Sequence, residues 1–178
     1  MQTTVFKIGG SLFDLPDLAN RIEWLLQRYP AQRQVLIGGG GLVANAVREW
    51  YLRFGLTEAQ AHEIALSTMT TTAQLLHSLL PDSQFITGLR DVDSGVFVLD
   101  SSGLVEHLPR NWTVTSDSIA ADVAARCEGK LILAKSVDAP SGLSFKEWAD
   151  AGIVDAYFPT IAERVRQVDW CNLRNIEL

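Results

Sequence analysis

Residues 34–41, QVLIGGGG, pass from a strand-forming run directly into four consecutive glycines, and that abrupt change decides the fold. Gln34 to Ile37 reads as a buried strand, because a short apolar run bounded by a turn signal suits a strand enclosed on both faces. Beyond the glycines, Val43, Ala46, Val47, Trp50, Tyr51 and Phe54 recur at helical spacing until Gly55 closes the pattern. The same succession stands upstream. Thr3 to Ile8 (TTVFKI) ends in Gly9-Gly10-Ser11, and Leu15, Leu18, Ala19, Ile22, Leu25, Leu26 and Tyr29 trace a helix that Pro30 stops.

Downstream, Thr57 and Gln60 have capping-box spacing and open a long helix with Ala61, Ile64, Ala65, Thr68, Met69, Thr72, Leu76 and Leu79 on its inner face, up to Pro81. Gln84 to Thr87 and Val96 to Asp100 are short strand candidates separated by a polar turn, Arg90 to Ser94. Thr115-Ser116-Asp117 is a cap signature before a small-residue helix, Ser118 to Cys127, and Lys130 to Lys135 (KLILAK) is the strongest buried strand. Ser144 with Glu147 and Thr160 with Glu163 predict two late helices, and Asp169 to Leu178 a last edge strand. No solenoid-length repeat or low-complexity linker appears, so residues 1–178 are expected to form a single domain. Strands alternating with helices predict an α/β fold, a three-layer αβα sandwich with a mostly parallel central sheet.

The chain of 178 residues is 47% apolar with a mean hydropathy of +0.10, enough for a substantial core. Its formal charge of −6 and pI near 5.0 make the surface repel polyanions, so no nucleic-acid partner is expected. Cys127 and Cys171 are too few for a disulfide framework and read as reduced thiols. His77 and His107 lack ligand-like spacing, so no metal site is expected among these side chains. No basic leader and no apolar run near 18 residues are seen; the expectation is a cytoplasmic protein without a membrane partner.

In a parallel sheet, ligands bind beyond the carboxyl ends of the strands. Lys7-Ile8-Gly9-Gly10-Ser11, Gly38 to Gly41, and Thr115-Ser116-Asp117 all converge there. Glycine amides and helix N-termini suit phosphate oxygens, and two such loops suggest two anionic ligands. Neither loop has the spacing of a P-loop or of a dinucleotide fingerprint. Lys7 at a strand end either neutralises phosphate charge or snorkels to solvent. Four consecutive glycines are more than a plain turn requires, which favours the ligand reading. Asp117 is either a first-turn carboxylate or the group that orients lysine ammonium groups. Arg90-Asp91 reads as a surface ion pair rather than an acceptor contact. His62, on the long helix away from the glycine loop, reads as structural. Trp112 is the tryptophan best placed to stack on a ligand ring. Met69, Trp50 and Tyr51 could serve a dimer seam, though core packing is their commoner use.

The motifs VFKIGGSL, VLIGGGG, VTSDSIAADVA and LILAKSVDAP, in this order, resemble those of the amino-acid kinase family over most of the chain. The short length and the wording TSDSIAADVA then LAKSVDAP are most similar to the small branch of methanofuran-type cofactor biosynthesis, which phosphorylates an aminomethyl-furan-methyl phosphate to a diphosphate. The resemblance implies ATP and Mg²⁺. It implies that Lys7 and Gly10 hold the transferring phosphoryl group, that Gly9, Gly10 and Ser11 bind the nucleotide, that Gly38, Gly39, Gly40, Gly41 and Ser116 face the acceptor, and that Asp117 organises the lysines. Lys135 and Asp138 would lie by the nucleotide. Ala139-Pro140 replaces the glycine of the family's Val-Asp-Gly turn, and a later Gly-Gly-Met segment with its downstream lysine is absent. Lys135, and after it Lys146, is then the second cation.

The expectation is therefore in-line transfer of a γ-phosphoryl group from Mg-ATP to a small anionic acceptor, by positioning and electrostatic stabilisation. A phosphate acceptor ionises near neutral pH without a base, and a carboxylate acceptor would need none either. A nucleotide-binding regulatory module without turnover is the alternative from another class. An NAD-dependent oxidoreductase is the weakest reading, for want of its fingerprint.

Overall fold

The computed structural model describes residues 2–89 and 93–178. Arg90-Asp91, read as a surface ion pair, lies outside the described residues. Six strands, β1 Thr3–Ile8, β2 Arg33–Gly38, β3 Gln84–Ile86, β4 Gly95–Leu99, β5 Lys130–Lys135 and β6 Gln167–Asn172, form a sheet in the order β3-β4-β2-β1-β5-β6. Every pairing is parallel, so the sheet goes beyond the mostly parallel one expected. β1 lies between β2 and β5, with Lys7 opposite Ile37 on one side and Leu133 on the other.

Alternation along the strands divides the core into two layers, as a period of two requires. Val5, Val35, Ile37, Leu131 and Leu133 face α4 Ser116–Arg126, α5 Phe145–Asp150 and α6 Phe158–Ala162. Phe6, Ile8, Leu36, Ile132 and Ala134 face α1 Leu18–Arg28 and the end of α3 Glu58–Leu79. Lys7 and Lys135 follow the parity of Val5 and Leu133, which directs both toward α4. The buried α1 residues Leu18, Ile22 and Leu25 keep helical spacing, and each contributes roughly 1.5–3 kcal/mol relative to an exposed position. α2 Gly41–Phe54 buries only Val47 and packs on α3.

Several element boundaries depart from the sequence reading. Gly10–Asp14 is a short 3-10 turn, so α1 begins at Leu18 rather than Leu15. The Thr57–Gln60 and Ser144–Glu147 capping boxes form as expected. The Thr160–Glu163 box does not. Thr160 is inside α6, and Asp155 instead accepts from the Phe158 amide at 3.0 Å. The last strand ends at Asn172, followed by a 3-10 turn at Leu173–Asn175. Met69 is buried in the core rather than at a seam, Ile64 is exposed, and Tyr51 packs edge-on against Trp112. Among the described residues no helix is long and apolar enough to cross a membrane.

Candidate active site

The carboxyl ends of β1 and β5 and the N-terminus of α4 meet at one point. Lys7 leaves the end of β1 almost wholly buried, at 4% exposure, and its Nζ lies 3.0 Å from Asp117 Oδ1. Lys135 leaves the end of β5, and its Nζ lies 2.8 Å from each Asp117 oxygen while donating to the Ile153 carbonyl at 2.8 Å. Oδ1 makes no well-aligned hydrogen bond, so its contacts with the ammonium groups are chiefly charge on charge. Two cations on one carboxylate leave this buried cluster with an uncompensated positive charge. Burial alone would raise the Asp117 carboxyl, but Lys7 and then Lys135 outweigh it and hold the group ionised below its ordinary range. Burial, followed by the like charge of Lys7, pushes Lys135 down to about 8.

Asp117 is therefore no helix cap. Thr115 precedes α4 without capping it through its side chain. The cap is Asp155, whose Oδ2 accepts from the Thr115 and Ser118 amides at 2.9 and 3.0 Å and from Thr115 Oγ1 at 2.8 Å. Its other oxygen serves Phe158 and the Ser118 hydroxyl. Burial pushes the Asp155 carboxyl upward, opposed by these donors. With Asp155 satisfying the helix end, Asp117 can turn toward the lysines. The role of Asp155 at α4 carries no local motif, because its partners there, Thr115 and Ser118, lie about forty positions away.

The two glycine loops pack directly against each other. A Cβ on Gly10 would meet the Gly41 amide nitrogen at 2.7 Å, and one on Gly39 would meet the Gly10 nitrogen at 2.9 Å and Ser116 Oγ at 3.0 Å. They form one backbone wall, admissible only without side chains. Gly41 also takes φ +60°, a left-handed conformation that favours glycine. Gly38 and Gly40 let Thr72 and Thr68 of α3 approach, so packing as well as ligand access explains the glycine run. The first amides of α2 have no intrahelical acceptor and, with the helix dipole, favour an anion, whereas at α4 the Asp155 carboxylate already takes the Ser118 amide.

A cavity of about 460 Å³ opens on this wall. Lys7, Gly10, Ser11, Gly39, Gly40, Gly41, Ser116 and Asp117 line it. Gly38 closes β2 behind it, and the Gly9 amide is engaged by the Ala134 carbonyl at 2.8 Å. Asp138 lies beyond β5, where it accepts from Asn172 Nδ2 at 2.9 Å, and Ser136 Oγ meets Ser11 Oγ at 2.9 Å. Lys146 is on the surface, paired with Asp150, and joins no site. His62, expected to lie away from the glycine loop, lines the same cavity. It is 3% exposed, and burial holds its imidazole below the ordinary range against a raising contact from the Asn111 backbone. Helical spacing alone could not show that the second turn of α3 overhangs the loop. Among the described residues no cluster of three or more His, Cys, Asp or Glu could hold a metal ion.

Solved structures share this architecture. Uridylate kinase from Archaeoglobus fulgidus superposes with a TM-score of 0.67 at 20% identity, covering 98% of this chain and 93% of that one. UMP kinase from Bacillus anthracis gives 0.67 at 15% identity, over 97% of this chain and 87% of the other. The fold is that of the uridylate kinases. UMP kinase from Ureaplasma parvum agrees, with 0.61 at 15% identity over 96% and 90% of the two chains. No protein-family model matches this chain, and no curated protein does. The amino-acid kinase fold expected from the motifs is thus present, and in it the lysine cluster stands at the carboxyl edge of the sheet.

Proposed function

We propose that the protein is an ATP-dependent phosphotransferase that moves a γ-phosphoryl group onto a small anionic acceptor. The observation carrying this reading is the buried Lys7–Asp117–Lys135 cluster, whose excess positive charge faces a backbone wall with no side chains. Such a cluster is stabilised by an anion and gains most where negative charge spreads during transfer. The kinase fold supports the same reading.

In the proposed reaction an acceptor oxygen forms a bond to the γ-phosphorus, the bond from that phosphorus to the β-bridging oxygen breaks, and ADP departs with the electron pair. Lys7 and the amides of the Gly10 and Gly40–Gly41 loops would hold the phosphoryl oxygens. Lys135 would neutralise the leaving side, and Asp117 keeps both ammonium groups aligned. The nucleotide would lie beyond β5, along Ser136 to Asp138, its phosphates taking the place of the Ser11–Ser136 contact. The donor set here fits nucleotide phosphates through lysines and amides. Mg²⁺, which retains several waters, would be carried chiefly by phosphate oxygens, where it neutralises charge.

The proposed acceptor is the aminomethyl-furan-methyl phosphate, which would become a diphosphate. The motif resemblance supports it, and the uridylate kinases likewise act on a phosphate. The decisive experiment is mass spectrometry after incubation with Mg-ATP and separate acceptors: this furan phosphate, isopentenyl phosphate, uridylate, acetylglutamate and aspartate. A diphosphate formed from the furan alone is expected. ADP formed only with another acceptor would overturn the substrate. Absence of turnover with every acceptor, alongside saturable ATP binding, would overturn catalysis and establish a regulatory module.

A further inference from the structure

Building on the kinase reading, we infer that Trp112 determines acceptor choice and selects molecules that carry a planar ring beside their anionic group. The cavity is more than an anion site. Part of its lining is apolar, with Leu66, Met69 and Val114 all buried, and phosphate oxygens have no use for that part of the surface. Trp112 is the one Phe, Tyr or Trp among the lining residues. An indole offers a large flat contact at small entropic loss, because only two side-chain torsions need be held.

The indole is already held. The Arg48 guanidinium stands 5.1 Å from its ring centre, and Tyr51 meets it edge-on at 6.1 Å. Arg48 donates to the neutral Asn45 Oδ1 at 2.9 Å and has no carboxylate partner among the described residues. The backbone below is held too: Asn111 Oδ1 accepts from the Thr113 amide at 2.9 Å, and the Thr113 carbonyl accepts from Tyr157 at 3.0 Å. Two residues later Thr115 is tied to Asp155, and α4 then presents Asp117 to the lysines. A ring seated on Trp112 is therefore in a set relation to the transfer point, the arrangement that converts binding into orientation.

Calorimetric titration of the intact protein tests this without depending on turnover, using the furan phosphate and benzyl phosphate as ring-bearing probes, isopentenyl phosphate as the aliphatic one, and inorganic phosphate. The wild type should prefer the ring-bearing probes. Trp112→Leu should weaken them roughly 10-fold or more while leaving isopentenyl phosphate and inorganic phosphate unchanged, and Trp112→Phe should restore most of the loss. Unchanged inorganic phosphate binding also shows that Trp112→Leu is folded. In acceptor kinetics the ring-bearing acceptors should lose kcat as well as gain in KM, because a ring no longer seated on Trp112 is also misoriented. Equal affinity of the wild type for ring-bearing and aliphatic probes, or an equal loss for all probes in Trp112→Leu, would overturn the assignment. Failure of the kinase reading registers separately, as ring-selective binding with no ADP formed.

Discussion

Asp117 lies within 3.0 Å of two lysine ammonium groups, and the three residues behave as a unit. Lys7→Ala should lower kcat by about 10²–10³-fold or more with the circular-dichroism spectrum preserved, because its charge acts where phosphoryl charge develops. Asp117→Asn leaves two buried cations without their counter-ion; a loss of about 3 kcal/mol in denaturant unfolding is expected alongside lost turnover. A fall nearer 1 kcal/mol with normal turnover would return Asp117 to a mere helix-end role. Lys135, pushed down to about 8, supplies a pH test. Its ammonium is lost as pH rises through about 8, so kcat/KM should descend there, and Lys135→Arg should move that limb upward. Stability runs the other way. The folded state holds this proton less firmly than the unfolded chain, so the Lys135 contribution becomes more favourable from about pH 8 toward its ordinary value of 10.5.

At the level of elements, the start of α4 depends on a residue outside it. Asp155→Ala removes the acceptor for the Thr115, Ser118 and Phe158 amides, and a loss of about 2 kcal/mol by thermal unfolding is expected, with reduced turnover as Asp117 shifts. Gly10→Ala drives a methyl group into the Gly41 backbone and should cost about 1–3 kcal/mol, read by the same unfolding. The sequence made much of this layer legible. β1, β2 and β5 are short apolar runs, and α3 begins with a capping box, so local chemistry is enough for each. The same parity that buries Val5 and Leu133 also placed Lys7 and Lys135 on one face. What escaped was tertiary. α6 has no capping box because Asp155 serves two helices at once, and His62 reaches the cavity only because α3 crosses the glycine loop. Trp112 was noticeable for its place before Ser116-Asp117, but its partners Arg48 and Tyr51 lie far back in the chain, on α2.

For the molecule as a whole, a charge of −6 sets a repulsive field around a locally cationic pocket. Raising salt from about 10 mM to about 150 mM should increase kcat/KM for an anionic acceptor slightly, since screening weakens the long-range field more than the buried one. A steady fall with salt would mean that Arg48 and the lysines dominate approach. The position of β1 has a different consequence. It is the earliest of the six strands to be synthesised, yet it sits in the middle of the sheet, and Thr4 pairs with Lys130. A nascent chain can close β1 against β2 long before β5 leaves the ribosome, leaving one edge of β1 open until then. Lys7 acquires its neighbours on β5 only when that edge is covered, and Lys135, which shares Asp117 with it, arrives on the same strand, so the proposed transfer site is assembled late and in one step.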